Sequence, residues 1–254
     1  MNHQGKTIIV SGASSGIGKA VAENFVKGGA TVIANARRAD KLDALAASLQ
    51  DAAGELTGCT GDVTNDDDLQ RLFAFSDAEL NKPLDAFVLC AGHGLPGSLL
   101  TSDKSKWRQL CEVNYLAAME QLRQCAELLI KQIKAGVAKP VQDIVVIGST
   151  IGRNVSAFNP VYGSTKFALH SLVEGLRQEL CEYNIRVTLI EPGFVRTEFQ
   201  EVADYDMNWF NEMEAQIGPF LAPEDIAETV SFVVQQPSHV HVDNIRVRPT
   251  KQKV

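Results

Sequence analysis

The 254-residue chain has few cysteines, little positive charge and no long apolar run. Its five cysteines are an odd number and include no Cys-x-x-Cys pair, which argues against a disulfide framework and a zinc site. Lysine and arginine number 24 against 31 acidic residues, giving a net charge of −7, so we expect no binding to nucleic acid. No apolar span reaches the roughly 18 residues that a membrane helix needs, and no signal-peptide core is evident. We therefore expect a cytoplasmic protein that does not bind membranes.

Positive charge is concentrated in the pair Arg37-Arg38 and near the end of the chain. The C-terminal set is Arg246, Arg248, Lys251 and Lys253. Because chain ends are usually solvated, we expect this tail to lie in solvent.

Short apolar runs alternate with segments of helical periodicity. The runs that predict strands are 7–10, 31–36, 56–60, 86–89, 144–147, 186–190 and 245–247. Apolar residues at helical spacing predict helices over 16–27, 40–49, 103–135, 162–181 and 223–235, and another begins near residue 65. Continuous apolar strands are typical of a parallel sheet covered by helices on both faces. We predict one α/β domain over residues 1–254, a doubly wound Rossmann fold with about seven parallel strands.

A glycine- and serine-rich turn separates the first strand from the first helix. It reads Ser11-Gly12-Ala13-Ser14-Ser15-Gly16-Ile17-Gly18. Glycines let backbone amides approach a phosphate, and a helix N-terminus favours its charge. The P-loop pattern fails because Ile17-Gly18 stand where Gly-Lys is required, and the G-x-G-x-x-G spacing also fails. Taken alone, the turn leaves a plain glycine-rich connection as an alternative.

A serine, a tyrosine and a lysine further along are suited to proton transfer. Tyr162 and Lys166 are four residues apart, so they share a helix face, and Ser149 lies 13 residues before Tyr162 at the end of the fifth strand. A free tyrosine has a pKa of about 10, and a nearby ammonium lowers it. The pattern therefore predicts a general acid/base with its own tuning group.

Together these motifs resemble the short-chain dehydrogenase/reductase family, over about residues 7–249. Ser11 stands where the family's TGxxxGxG turn has threonine. The resemblance implies an enzyme that interconverts a carbonyl and an alcohol on a small molecule by hydride transfer with a nicotinamide cofactor. It implies that Ser149 binds the reacting oxygen, Tyr162 gives or takes the proton, and Lys166 lowers the tyrosine pKa and holds the ribose hydroxyls. Asn114 matches an asparagine that supports a proton relay through water.

The same resemblance implies a set of cofactor-binding residues. The set is Gly12, Ser14, Ser15, Gly16, Ile17, Gly18, Arg37, Arg38, Asp62, Val63, Cys90, Ala91, Gly92, Tyr162, Lys166, Pro192, Gly193, Val195 and Thr197. Leu89 and Cys90 replace two asparagines of the family, which puts in doubt the hydrogen bonds that normally brace this region.

The end of the second strand indicates which dinucleotide binds. An acidic residue there selects NAD, whereas a basic one accommodates the 2′-phosphate of NADP. The sequence has Arg37-Arg38 and no carboxylate before Asp40. We predict NADP(H), with Arg37, Arg38 and the Ser14 hydroxyl as a phosphate clamp. The alternative is a pair of solvated arginines.

The final part of the chain carries the substrate and assembly predictions. Residues 199–221 correspond to the family's substrate lid, with an ordinary amphipathic helix as the alternative. The segment from Leu221 resembles the NADP-dependent 3-hydroxy acid (serine or allo-threonine) and clavulanate dehydrogenase branch. The family pairs helices between subunits, so a homodimer or homotetramer is expected.

Several alternatives remain at this level. The chain could be an NADP-binding regulatory protein without turnover, or a dehydratase or epimerase on the same fold. His170 is expected to serve helix contacts rather than catalysis. No metal site is expected, because His239 and His241 lack a third partner.

Overall fold

The computed structural model describes residues 2–78 and 82–253, and the strands in these ranges form one seven-stranded sheet. The strands are β1 (Thr7–Ser11), β2 (Thr31–Ala36), β3 (Glu55–Thr60), β4 (Ala86–Leu89), β5 (Gln142–Ile147), β6 (Ile185–Pro192) and β7 (Asn244–Val247). All neighbouring strands are parallel, in the order β3-β2-β1-β4-β5-β6-β7. The direction of winding reverses between β1 and β4, which opens a crevice at their carboxyl ends. The predicted fold class is confirmed.

Helices cover both faces of the sheet. They are α1 (Gly16–Lys27), α2 (Ala39–Ser48), α3 (Asp66–Ala78), α4 (Trp107–Cys111), α5 (Ala117–Lys134), α6 (Pro160–Leu180), α7 (Phe199–Val202), α8 (Met207–Ile217) and α9 (Pro223–Val234). In β1, Ile8 and Val10 pack on the face that α1 and α9 cover, whereas Ile9 packs on the opposite face. Both faces are therefore apolar, which explains the continuous apolar runs. Within the described ranges, no helix combines the length and apolarity that a bilayer span requires.

The helix predicted over 103–135 is not continuous. A 3₁₀ turn (Lys104–Lys106) and α4 lead into a π-helical turn (Glu112–Leu116) before α5 begins. A π turn adds one residue to the helical circuit, which a 3.6-residue apolar pattern does not reveal. Asn114 lies in this turn and is buried. The wider turn therefore sets the direction of a predicted site residue.

A buried ion pair links β5 to β6 at the edge opposite the crevice. Asp143 faces Arg186 in the strand register, and its two carboxylate oxygens accept from the guanidinium Nε at 2.7 Å and Nη2 at 2.9 Å. Arg186 Nη1 also donates to the backbone carbonyls of Gln236 and Val240. One guanidinium therefore joins both strands to the segment that follows α9.

We expect Asp143→Ala to lower the free energy of unfolding by about 3 kcal/mol, because it leaves the Arg186 charge buried without its carboxylate. Urea unfolding followed by circular dichroism measures the change. Asp51→Ala, at an exposed position after α2, is the control and should leave the free energy within about 0.5 kcal/mol. Equal stability of the two variants would contradict the assignment.

Candidate functional site

The turn after β1 brings three backbone segments close together. Gly12 has a φ of +71°, and a Cβ there would lie 2.7 Å from the Ala91 backbone nitrogen. A Cβ on Gly18 would overlap the Gly12 carbonyl oxygen. Ser15 precedes α1 without a side-chain capping hydrogen bond, so the first amides of α1 are open to an anionic ligand. This geometry fits the phosphate-binding role predicted for the turn.

The loop after β4 packs against that turn. The Cys90 Cβ lies 3.2 Å from the position of a Cβ on Gly18, so a small side chain fits here. Burial raises the pKa of the Cys90 thiol to about 12, which keeps it neutral at physiological pH. A Cβ on Gly92 would lie 3.6 Å from Asn114 Oδ1 and 3.8 Å from Lys166 Nζ. Cys90 therefore packs against the turn, and Gly92 leaves room beside two predicted catalytic residues.

The two arginines after β2 have different contacts. Arg38 Nη2 donates to the hydroxyls of Ser14 at 2.9 Å and Ser15 at 3.1 Å. Arg37 Nη1 instead lies 4.0 Å from Asp62 Oδ2. Of the two arginines predicted to form a phosphate clamp, Arg38 is the one that contacts Ser14, while Arg37 lies beside Asp62. The clamp itself stays a prediction. The Arg37 side chain is mostly exposed, whereas that of Arg38 is about half-exposed.

Ser149, Tyr162 and Lys166 meet at the carboxyl end of β5 and the start of α6. Tyr162 and Ser149 line the same cavity, and their side chains are close enough for the Ser149 hydroxyl to affect the Tyr162 pKa. Lys166 Nζ lies 6.0 Å from the centre of the Tyr162 ring and donates to the Ile147 carbonyl at 3.2 Å. Tyr162 and Lys166 are buried, whereas Ser149 is partly exposed. The structure therefore brings the predicted proton-transfer residues together.

Burial changes the ionisation of this group. It lowers the pKa of the Lys166 ammonium to about 8 and raises the pKa of the Tyr162 phenol above its usual value. Loss of hydration is the dominant cause of the Tyr162 shift, and the Lys166 ammonium points to the Ile147 carbonyl. Tyr162 therefore keeps its proton at neutral pH, and this protonated phenol can donate to a carbonyl oxygen. The lowering of the Tyr162 pKa by Lys166 stays a prediction.

Asn114 braces the loop after β4 against α6. Its Oδ1 accepts from the His93 backbone N–H at 2.7 Å, and its Nδ2 donates to the His93 carbonyl at 2.8 Å and to Thr165 Oγ1 at 3.2 Å. Such a fully bonded amide holds the loop beside Lys166. The part of Asn114 in a water relay remains a prediction.

The segment after β6 carries the last predicted cofactor residues. Pro192 ends β6, and Val195 makes an isolated bridge to Leu221. Thr197 lies near the glycine turn, since a Cβ on Gly16 would be 3.3 Å from its side chain. This segment therefore approaches the glycine turn through Thr197.

Of the four basic residues predicted to lie in solvent, Arg246, Lys251 and Lys253 are exposed and Arg248 is partly buried, but the segment that carries them is docked on the protein. Gln252 Oε1 accepts from the Phe194 backbone N–H at 3.0 Å. It packs so closely on Gly193 that a Cβ there would overlap it. Arg246 Nε bonds to the buried Glu191 at 2.9 Å. The tail docks because it follows β7, which ends at the crevice edge of the sheet. Its contacts join residues more than 50 positions apart in sequence, which local composition cannot indicate.

An apolar cavity of about 680 Å³ opens beside Ser149 and Tyr162. Its aromatic lining comprises Phe158, Phe194, Phe199, Tyr205, Trp209 and Phe210. The rings of Phe158 and Trp209 stack with centroids 4.9 Å apart. Helices α7 and α8, within the predicted lid 199–221, supply one side, and Lys251 and Lys253 line the cavity as well. The cavity has the size of a small-molecule site.

Within residues 2–78 and 82–253, no three His, Cys, Asp or Glu side chains gather closely enough to hold a metal ion. His241 contacts the Val187 carbonyl instead.

Comparisons with known proteins agree with this geometry. The model of the short chain dehydrogenase family matches residues 6–208. Dehydrogenase/reductase SDR family member 11 of Bos taurus is 34% identical over 256 residues, covering 96% of each chain. A serine dehydrogenase solved with NADP+ has a TM-score of 0.85 at 28% identity, covering 98% of this chain and 96% of that one. A metagenomic short-chain oxidoreductase solved with NADP has a TM-score of 0.78 at 28% identity, covering 98% and 99%. The chain belongs to the short-chain dehydrogenase/reductase family of oxidoreductases.

Proposed function

We propose that the protein reduces a carbonyl on a small molecule with NADPH, Tyr162 donating the proton. The observation that carries this proposal is the buried Tyr162 phenol beside Ser149 at the wall of an aromatic cavity. A carbonyl oxygen there would accept from Ser149 and Tyr162 together, which stabilises negative charge on the oxygen as it forms. Because burial raises the Tyr162 pKa, the phenol is in its proton-donating form at neutral pH.

NADPH is the cofactor that the residues at the glycine turn support. The open N-terminus of α1 suits the pyrophosphate, and Arg38 with Ser14 and Ser15 suits the 2′-phosphate. When bound, this cofactor supplies the hydride. Lys166, to which the resemblance assigns the nicotinamide ribose hydroxyls, lies with Asn114 beside Gly92. Two solved relatives are complexes with NADP.

The cavity favours a substrate with an aromatic or bulky apolar group next to the carbonyl. Trp209 and Phe158 are stacked, and Phe199 packs edge-on to the Tyr162 ring at 6.0 Å. Apolar groups gain free energy on leaving water for such a lining. Lys251 and Lys253 could also pair with a carboxylate, which keeps the 3-hydroxy acid class as the second candidate.

We expect Trp209→Ala to raise KM for an aryl ketone by about 10-fold and to leave KM for a small aliphatic ketone within about 2-fold, because one side of the apolar wall is removed. Oxidation of NADPH at 340 nm measures both values. Phe232→Ala, half-exposed on α9 outside the cavity lining, is the control.

The substrate panel separates the proposed function from its alternatives. Aryl ketones, 3-oxo acids, 3-hydroxy acids and serine are each assayed with NADPH or NADP+. Turnover confined to 3-hydroxy acids would select the second candidate. NADPH binding with no turnover of any compound would contradict the proposal and favour a regulatory protein.

A further inference from the structure

His170 is a buried histidine beneath the catalytic serine. It follows Tyr162 by eight residues and Lys166 by four on α6, so all three lie on one helix face. The sequence predicts helix contacts rather than catalysis for it, and its ring packs against the segment 148–152, which includes the 3₁₀ turn Thr150–Gly152. The proton-transfer step does not use this side chain.

The ring makes one hydrogen bond to the catalytic segment. The Ser149 backbone N–H donates to His170 Nε2 at 3.3 Å. That bond assigns the ring proton to Nδ1, which is buried and has no partner among residues 2–78 and 82–253. An unpaired buried donor is unfavourable. The ring is therefore held here at an energetic cost.

Glycines on both sides of Ser149 close over the ring. A Cβ on Gly148 would overlap His170 Nε2, and a Cβ on Gly152 would overlap the ring from the other side. Neither glycine has a positive φ, so the space for the imidazole, not backbone conformation, requires them. The segment carrying Ser149 therefore wraps around the ring, and the shape of the ring fixes where the segment lies.

Burial and the neighbouring charges keep the imidazole ring neutral. Burial lowers the His170 pKa to about 4, with Lys166, Arg153 and Arg246 acting in the same direction and Glu191 opposing them. Arg153 follows the Ser149 segment, and its Nε donates to Glu191 at 2.5 Å. His170 is thus neutral at physiological pH and cannot supply a proton to Tyr162. Its contribution is to hold the segment by a hydrogen bond and by shape.

We propose that His170 is a positioning residue for Ser149, fixing the hydroxyl that binds the substrate oxygen. The inference rests on the proposed function, because Ser149 must contact the reacting carbonyl. A displacement of about 1 Å at such a group can lower a rate by about 100-fold. Loss of the ring therefore lowers kcat without touching the cofactor site.

The test compares His170→Leu with His170→Gln. Leucine fills the space without an acceptor, whereas the glutamine amide oxygen reaches the position of Nε2. We expect His170→Leu to lower kcat for the best ketone by about 30-fold, with KD for NADPH, from its fluorescence, within about 2-fold. His170→Gln should recover most of the rate. Val173→Ala, buried elsewhere on α6, should lower the melting temperature but leave kcat unchanged.

A double-mutant cycle with Ser149→Ala distinguishes positioning from general support of the fold. If His170 acts through Ser149, His170→Leu should have little further effect on the Ser149→Ala enzyme. An undiminished further effect would overturn the inference, as would a wild-type kcat in His170→Leu. If His170→Leu does not fold, His170→Ala takes its place in the same cycle. A loss of kcat that disappears in the Ser149→Ala background supports positioning, and an equal loss in both backgrounds overturns it. No turnover by the wild-type enzyme would contradict the proposed function instead.

Discussion

Replacing Tyr162 with phenylalanine is expected to lower kcat for ketone reduction by about 1000-fold, within the range for loss of a general acid. The substitution removes the hydroxyl beside Ser149 and keeps the ring that packs against Phe199. Because the phenol is buried and protonated, its loss removes the proposed proton donor. Initial rates at saturating NADPH measure the loss.

Measuring the KD for NADPH distinguishes the loss of the proton donor from a loss of the folded structure. The Tyr162→Phe enzyme should bind NADPH with a KD within about 2-fold of the wild type, since the glycine turn and the arginines are unchanged. Tyr183→Phe, at the far end of α6, removes a phenolic hydroxyl away from the site and should keep full activity. A Tyr162→Phe enzyme with more than a tenth of the wild-type kcat would contradict the assignment of the proton donor.

The layout of the sheet was accessible from sequence because its signals are local. The strands are short apolar runs, and the glycine turn follows the first of them. The order of elements along the chain then places the loops after β1, β4, β5 and β6 at one edge. Tyr162 and Lys166 share a helix face by spacing alone. Ser149 joins them because it follows β5, whose last residue, Ile147, contacts Lys166 of α6.

What the sequence did not reveal depends on contacts between distant segments. The docking of Gln252 on Phe194 joins residues 58 positions apart, and nothing in the tail's composition indicates it. The choice of Arg38 over Arg37 as the partner of Ser14 depends on where each side chain points after β2. The π turn around Asn114 adds a residue that apolar periodicity does not count.

The Tyr162 pKa shows why proximity in sequence is not enough. The i, i+4 spacing predicts an ammonium that lowers the phenol pKa. In the fold, both groups are buried, and the loss of hydration raises the pKa of one and lowers that of the other. The extent of burial is a property of the packed site, to which Phe199 and other distant residues contribute.

Removing both arginines after β2 is expected to lower the ratio of kcat/KM with NADPH to that with NADH by about 1000-fold, or about 4 kcal/mol. Two charge-assisted hydrogen bonds to a 2′-phosphate account for a change of this size. NADH has no such phosphate, so activity with NADH in the Arg37→Ala/Arg38→Ala enzyme should stay near the wild-type value. Single substitutions apportion the effect, and Arg38→Ala should cause the larger loss because Arg38 is the one already bonded to Ser14 and Ser15.

Lys41→Ala is the matched control, because it removes an exposed positive charge from α2 close to the same strand end. It should leave the cofactor ratio within about 2-fold, since long-range attraction between exposed charges is screened by salt. A similar loss in Lys41→Ala would mean that overall charge, not a specific clamp, attracts NADPH. An unchanged ratio in the double variant would mean that the two arginines are solvated and that another feature selects the dinucleotide. The proton-transfer residues lie after β5 and on α6, away from the two arginines. A fall in activity with NADPH but not with NADH therefore places the defect at the binding site of the 2′-phosphate.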